Sequence, residues 1–399
     1  MNTGYFRFLF IILWMVFCAN AAAQHDSIFI QGYINNVLDN DMNIAIAEDM
    51  GTVGILKHDV GKNEGSSQDG FLDLIYMQRK SGTHYYKLKI NLEENWNLIE
   101  TVFWAAKGDT VRIEGDGYLN GTWKIMVDNP EQQEQNFFQD ACMEEIKAYQ
   151  QTLWDYAEYR DWRRYAPEMN EMEWNKTVMH KERLEKKMDS LKIVWHRKVL
   201  EVMKYRPVGN VWVRKFSELA KVEGTPLTGD LIRLYKRNKT ELEKRPDAGL
   251  LWAMLHDAPK AILGERCIDR KMYDLKGNSY QLSDFQGKYI LLTFWSRGCS
   301  NCVAKIPGMA KFHEQHKDKL TMINLTIDSD EAWRTCRFNE DITWLNLSDG
   351  RSVYGLAKSY ELKSLPMHIL ISPDGKWVKR WGGAPIFENG ELEQFILSF

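Results

Sequence analysis

Two cysteines, Cys299 and Cys302, lie three positions apart in "LLTFWSRGCSNCVAKIPG" and are the residues of this sequence best suited to chemistry. Such a pair can exchange disulfides, bind a metal or form a structural disulfide. A structural zinc site needs four ligands, and the sequence has no second C-x-x-C and no H-x-x-x-H motif. Haem attachment needs a histidine after the second cysteine, where this chain has Val303. We therefore predict no metal and no cofactor, which leaves exchange and a structural disulfide open.

The segments that position the pair favour exchange. The run "KYILLTFW" predicts a buried strand that ends at Trp295, and a helix is predicted from about Cys299 to His316. The first turn of a helix has unpaired N–H groups and the positive end of the helix dipole, and both stabilise a thiolate. We therefore predict that Cys299 is the nucleophile and that Cys302, one turn further along, resolves the mixed disulfide.

The sequence around this unit alternates strands with helices, which predicts an α/β fold for residues 261–399. A hairpin is predicted at Lys276-Gly277-Asn278 and a second one at Pro373-Asp374-Gly375. The run "LTMINLTID" predicts another strand, a helix is expected near Glu331 to Phe338, and a last helix runs from Glu391 to Leu397. The cysteines thus lie where a strand's carboxyl end meets the start of a helix.

These motifs resemble the thioredoxin-like domain of the TlpA/ResA family of exported bacterial thiol–disulfide oxidoreductases. The matching residues are Gly277, Leu282, Ser283, Phe285, Gly287, Lys288, Phe294, Trp295, Cys299, Cys302 and Pro307. Further on, "SLPMHILISPDGKWVKRWGG" is similar to the family's segment with the active-site cis-proline, which would be Pro366. The match covers about the last third of the chain.

The resemblance implies a thioredoxin-like fold and an enzyme that exchanges disulfides with protein substrates. It implies that Trp295 shapes the substrate cleft, and that Leu365 and Pro366 present backbone beside the sulfurs to an extended substrate. A membrane electron-transfer partner is also implied. His368, two residues past the proline, is expected to be a packed strand residue.

The sequence departs from the family pattern most clearly at Lys305, where relatives commonly have Glu. A cation there favours a thiolate at Cys302, whereas a carboxylate would disfavour it. The dipeptide between the cysteines is Ser300-Asn301, and because that dipeptide tunes the redox potential, the direction of exchange stays open.

The part before this domain divides by its sequence pattern. Residues 24–130 have short β-prone runs and predict a small antiparallel β domain, which loosely resembles a β-rich domain of unknown function in secreted bacterial relatives. Residues 131–260 predict a helical region and a connector. An apolar stripe at helical spacing supports the helical region; its members are Leu184, Met188, Leu191, Trp195, Val199 and Val202.

The first residues predict an export signal over residues 1–23: Arg7, an apolar run over residues 8–17, and small residues before cleavage after Ala23. A lipid anchor at Cys18 is the weaker alternative. We therefore expect a periplasmic or cell-envelope protein.

The net charge of −3 is ordinary for a soluble protein and gives no reason to expect a nucleic-acid partner. Removal of the signal leaves an odd number of cysteines, which does not predict a disulfide framework, and whether Cys142, Cys267 and Cys336 are free or bridged stays open. Cys336 is expected to be a buried helix residue, and the oligomeric state is left open. The alternative to an enzyme is a noncatalytic binding or scaffold protein with a vestigial thioredoxin-like domain.

Overall fold

The structure is a computed structural model that describes residues 27–35, 42–48, 53–56, 70–77, 82–92, 98–116, 119–160, 169–222, 224–383 and 390–397. The predicted signal segment, with Cys18 and the cleavage site after Ala23, lies outside the described residues. The chain divides into two compact units, Met1–Trp212 and Val213–Phe399. Among the described residues, no helix combines the length and the apolar character that crossing a membrane requires.

The described strands of the first unit form two sheets, in the orders β4-β1-β7-β8 and β3-β2-β5-β6. The strands are β1 Ser27–Asn35, β2 Met42–Glu48, β3 Val53–Leu56, β4 Gly70–Met77, β5 His84–Leu92, β6 Leu98–Ala105, β7 Thr110–Asp116 and β8 Lys124–Met126. Strand β7 has Val111 and Ile113 buried while Arg112 and Glu114 are exposed, the period-two pattern of a sheet with one face on a core. The predicted β domain is thus present, and its pairing is antiparallel except that β1 and β7 pair in parallel.

Three long helices follow in the first unit: α1 Pro130–Ala141, α2 Met143–Arg160 and α3 Glu171–Met203. Helix α1 begins after Asn129, whose side chain accepts a hydrogen bond from Gln132 N at 2.7 Å and donates one to Trp104 O at 2.9 Å. The same residue therefore caps the helix and fixes it to β6. In α3 the predicted apolar stripe includes the buried residues Leu184 and Val199, which confirms a helical middle region.

Short helices open the second unit, and an α/β domain completes it. The helices are α4 Asn210–Ala220, which spans the division between the units, α5 Thr228–Arg237, α6 Lys239–Leu242 and α7 Ala248–Met254. The α/β domain holds β9 Met272–Tyr273, β10 Ser279–Tyr280, β11 Tyr289–Trp295, α8 Ser300–His316, β12 Leu320–Thr326, α9 Asp330–Arg334, β13 Leu345–Leu347, α10 Leu356–Ser359, β14 Met367–Ile371, β15 Trp377–Gly382 and α11 Glu391–Leu397. These bounds match the predicted strands and hairpins closely. The predicted helix near Glu331 is shorter and continues as a 3-10 turn, Arg337–Asp341.

The central sheet of this domain has the strand order β13-β12-β11-β14-β15. Strands β11, β12 and β13 run parallel, whereas β14 and β15 are antiparallel to their neighbours. Because the carboxyl ends of parallel strands meet at one edge of a sheet, the loops after β11 and β12 lie side by side. The sheet therefore brings the turn that holds Cys299 next to the loop after Thr326.

Each face of the sheet packs on its own core. The α8-side core consists of Leu291, Trp295, Cys302, Ile306, Met309, Phe312, Leu320, Met322, Trp333, Cys336, Ile342, Trp344, Leu370, Trp381 and Leu392. The opposite core consists of Met272, Leu282, Ile290, Leu292, Phe294, Ile323, Leu325, Leu347, Leu356, Ala357, Tyr360, Met367, Ile369, Ile371 and Trp377. Alternation along β11 sends Leu291 and Trp295 to one core and Leu292 and Phe294 to the other.

Candidate active site

The two cysteines of the C-x-x-C motif form a disulfide at the amino terminus of α8, with their Cα atoms 5.2 Å apart. Cys299 is the N-cap residue, and its Sγ accepts a hydrogen bond from Cys302 N at 3.1 Å. Its carbonyl oxygen accepts the first helical bond, from Val303 N, also at 3.1 Å. The sulfur of Cys299 therefore lies among the unpaired N–H groups of the first helical turn, where a negative charge is stabilised.

The two sulfurs differ in their exposure. Cys302 is only 5% exposed and belongs to the α8-side core, whereas Cys299 is half-buried and packs at the edge of that core. An incoming disulfide can reach Cys299 first, while Cys302 is shielded by its own helix. This asymmetry is what sequential attack and resolution require.

Trp295 lies beneath the pair at the end of β11. Its ring is 1% exposed and packs in the α8-side core with Cys302 and Ile306. The ring therefore contributes to the floor under the disulfide rather than to the wall of an open groove. The predicted contact of Trp295 with substrate stays a prediction.

The Leu365–Pro366 peptide bond is cis, as the resemblance implied. The antiparallel register pairs Phe294 with Met367, so Pro366 lies beside the carboxyl end of β11, where the cysteine turn begins. Pro366 O accepts a hydrogen bond from Gly383 N at 2.8 Å. Leu365 is half-buried and, like Cys299, packs at the edge of the α8-side core. The structure thus brings the predicted proline segment and the cysteine pair to the same edge of the sheet.

A buried polar pair lies on the α8 side of the sheet, two residues along the strands from Trp295 and Pro366. Thr293 and His368 are paired across β11 and β14, and Thr293 Oγ1 and His368 Nδ1 are hydrogen-bonded at 2.9 Å. His368 is 0% exposed, which confirms it as a packed strand residue. Burial, together with the positive charge of Lys305 on α8, lowers the pKa of His368 to about 3. The imidazole is therefore neutral near pH 7.

A second buried polar group at this edge, Asp328, was missed by the sequence analysis. It follows β12, is 8% exposed, and accepts hydrogen bonds from Ser296 Oγ at 2.6 Å and from Arg297 N at 2.8 Å. Both donors belong to the turn that precedes Cys299. The sequence signal was an acidic residue at the end of the predicted strand "LTMINLTID".

Three further cysteines lie among the described residues, and Cys142 and Cys336 are buried while Cys267 is half-buried. Cys336 is 7% exposed, and burial raises the pKa of its thiol, so it is a poor nucleophile near neutral pH. It precedes a 3-10 turn rather than lying inside a helix, and it is buried as predicted. Burial also raises the pKa of Cys267.

Comparisons with known proteins agree with this arrangement. Residues 263–380 match the model of the AhpC/TSA family. Thiol-disulfide oxidoreductase ResA of Halalkalibacterium halodurans is 27% identical over 147 residues, which are 36% of this chain and 78% of that protein. ResA of Bacillus cereus is 28% identical over 144 residues, 35% of this chain and 80% of that protein. Four fifths of such a relative thus align with about a third of this chain.

The C-terminal segment is TlpA/ResA-like and thioredoxin-like. Among solved structures, this segment is 31% identical to the thioredoxin domain of a thiol-disulfide oxidoreductase from Bacteroides vulgatus, with a TM-score of 0.31. The match covers 34% of this chain and 99% of that structure's chain. The match to the ResA relatives and to the family model supports an oxidoreductase of the thiol–disulfide class in this segment, which follows a β region and a helical region. The family model and the ResA relatives confirm the predicted resemblance and enzyme class, and the described strands and helices confirm the predicted fold class.

Proposed function

We propose that this protein exchanges disulfides with protein substrates through its Cys299–Cys302 pair, with Cys299 as the nucleophile and Cys302 as the resolving thiol. The observation that carries the proposal is the difference between the sulfurs: one is half-buried at the N-cap of α8, the other 5% exposed one turn along. The catalytic domain of the proposal is residues 261–399, preceded by the predicted β-rich and helical regions.

In the reducing direction, the Cys299 thiolate attacks one sulfur of a substrate disulfide. A bond forms between Cys299 and that sulfur, the substrate S–S bond breaks, and one substrate thiolate leaves. Cys302 then loses its proton to solvent and attacks Cys299 Sγ, which releases the second substrate thiolate. The substrate gains two electrons and the protein becomes the disulfide. The oxidising direction is the reverse of the same steps.

The proposal also includes a surface that binds the substrate polypeptide around the sulfur that is attacked. We assign this surface to Leu365 and Pro366, because their segment lies beside the end of β11 and at the same sheet edge as Cys299. An extended substrate there would form hydrogen bonds with the backbone of this protein. Such pairing would favour substrates with an accessible extended segment, whatever their side chains. Trp295 would act from below, by holding the turn that bears Cys299.

Export belongs to the proposal as well. The apolar run after Arg7 and the small residues before Gln24 are those of a signal segment, and a persistent disulfide chemistry suits an oxidising compartment. In that compartment, a membrane electron-transfer partner would reset the pair after each turnover. N-terminal mass spectrometry of the secreted protein should find a chain that starts at Gln24, whereas a lipidated Cys18 would contradict this assignment.

Trapping tests the exchange directly. With Cys302→Ser, the mixed disulfide at Cys299 cannot be resolved, so covalent adducts with substrate proteins should accumulate in the envelope fraction. A reductant should cleave these adducts. The matched control is Cys299→Ser, which keeps the buried thiol and removes the accessible one. The proposal predicts abundant adducts for the first variant and few for the second; equal yields, or none from either, would contradict it.

A further inference from the structure

The turn between β11 and α8, residues 296–298, is attached to a single buried carboxylate. Asp328 Oδ1 accepts the Ser296 hydroxyl at 2.6 Å, and Oδ2 accepts Arg297 N at 2.8 Å. The hydroxyl of Thr326 donates to the same Oδ2 at 3.1 Å, which ties the carboxylate to the end of β12. These contacts cross 31 and 32 residues of sequence, so the two loops are joined by side-chain and backbone bonds at the edge of the sheet.

Ser296 passes this attachment on to the nucleophile. Its carbonyl accepts a hydrogen bond from Cys299 N at 3.1 Å, and its hydroxyl accepts one from Gly298 N at 3.2 Å. The Ser296 hydroxyl thus donates to Asp328 and accepts from the turn at once. The orientation of this one side chain fixes the backbone immediately before the N-cap of α8.

A buried carboxylate is costly unless its oxygens are hydrogen-bonded. Asp328 is 8% exposed, and the contacts that satisfy it come from the cysteine turn and from its own strand. Its charge is also felt in the core: the pKa of Cys336 is raised chiefly by burial and also by the carboxylate of Asp328, while Arg297 opposes it. The exchange chemistry itself has no step that uses this carboxylate.

We propose that Asp328 is a positioning residue for thiol–disulfide exchange, which holds the turn of residues 296–298 so that Cys299 Sγ stays at the amino terminus of α8. This inference rests on the proposed function, because it takes Cys299 as the nucleophile. Two effects of the carboxylate oppose each other. Its charge disfavours a nearby thiolate, whereas the geometry it imposes favours one by keeping the sulfur among the helix N–H groups. The proposal is that geometry outweighs charge.

The two effects predict opposite results for Asp328→Asn. The amide keeps the size and removes the charge, but its NH₂ group faces a donor where an oxygen accepted before. If geometry dominates, alkylation of reduced Cys299 by iodoacetamide slows by about 3- to 10-fold at pH 7, and the pH midpoint of labelling rises. If only the charge mattered, labelling would accelerate and the midpoint would fall. An unchanged or lower midpoint overturns the proposal.

Two further variants keep the test decisive. Ser296→Ala removes the hydroxyl while the carboxylate stays, so it should raise the midpoint in the same direction, including if Asp328→Asn fails to fold. Asp330→Asn is the matched control, because Asp330 is exposed, pairs with Arg334 at 2.8 Å, and should leave the midpoint unchanged. Preferential labelling of Cys299 over Cys302 in the unaltered protein tests the proposed function by itself, and the change in the variants tests the role of Asp328.

Discussion

The two faces of the central sheet differ in the side chains that they bury. On the opposite core, β11 and β14 contribute only apolar side chains, such as Ile290, Leu292 and Ile369, each at most 1% exposed. On the α8 side, the same strands carry the hydrogen-bonded pair Thr293 and His368 between apolar neighbours, beneath the helix that holds the disulfide. One face therefore supplies stability alone, whereas the other combines packing with the polar environment of the sulfurs.

The largest expected effect separates packing from chemistry. Leu292→Ala, on the opposite face, should lower the free energy of unfolding by about 2–4 kcal/mol, because it leaves a cavity in a fully buried site. It should move the redox potential of the pair by less than about 10 mV, since the cavity lies on the far side of the sheet. Chemical denaturation and a glutathione titration measure the two quantities on the same samples.

Leu291→Ala is the matched variant on the α8 side, one residue earlier and also 0% exposed. It should lose a similar free energy of unfolding, and it should also shift the potential, because Leu291 shares its core with Cys302. If both variants shift the potential equally, the distinction between the faces is wrong.

The next effect concerns the two sulfurs at the start of α8. In the reduced protein, Cys299 should be alkylated by iodoacetamide about 10- to 100-fold faster than Cys302 at pH 7, because it is half-buried at the helix N-cap while Cys302 is buried. Peptide mass spectrometry of samples quenched over time gives both rates. Equal rates, or faster labelling of Cys302, would overturn the choice of nucleophile.

His368 predicts a dependence of stability on pH that the apolar face lacks. Its pKa is about 3 in the folded protein, well below the ordinary value of 6.5, so below about pH 6.5 the unfolded chain binds a proton that the folded chain does not. Stability should therefore fall as the pH decreases, by about 1–2 kcal/mol between pH 7 and pH 5.

Replacement of the imidazole tests this assignment. In His368→Gln this part of the pH dependence should disappear, whatever the cost of the substitution at pH 7. The control is His313→Gln, which replaces a half-buried histidine of α8. The pKa of His313 is also lowered by burial, but Glu314 partly restores it, so this variant should lose less of the pH dependence of stability. Denaturation curves at several pH values decide, and a slope unaltered in His368→Gln would refute the assignment.

The smallest effect concerns Lys305, whose charge faces His368 on the α8 side. A cation near Cys302 stabilises its thiolate and therefore the reduced pair, so Lys305→Glu should lower the redox potential, by about 10–30 mV at low ionic strength. Lys311→Glu, an exposed position further along α8, is the control and should have no effect. An unchanged or higher potential in Lys305→Glu would mean that this lysine does not tune the pair.

Much of this domain was predictable because its signals are local. The strand ending at Trp295, the helix start at Cys299 and the turn at Pro373-Asp374-Gly375 each follow from neighbouring residues. The same locality explains what was missed. Asp328 is hydrogen-bonded to Ser296 across 32 residues, and no local sequence pattern shows which strands are neighbours in a sheet. The parallel pairing of β1 with β7 in the first unit was missed for the same reason.

Trp295 illustrates a subtler limit. Its position before the cysteine turn was predicted from the sequence, and the resemblance implied that it shapes the substrate cleft. The direction of its side chain depends on the alternation along β11 and on the packing of α8, which together place the ring in the α8-side core at 1% exposure. Sequence spacing identified the residue but not the surface that its ring contacts.

The central claim is that the Cys299–Cys302 pair cycles between dithiol and disulfide, and a redox titration tests it most directly. The protein is equilibrated in glutathione and dithiothreitol buffers of graded potential, and the oxidised fraction of the pair is read by thiol labelling and mass. The account predicts one two-electron transition with a midpoint between about −120 and −270 mV, the range of known exchangers. A pair that stays oxidised below about −300 mV would instead be a structural disulfide and would contradict it.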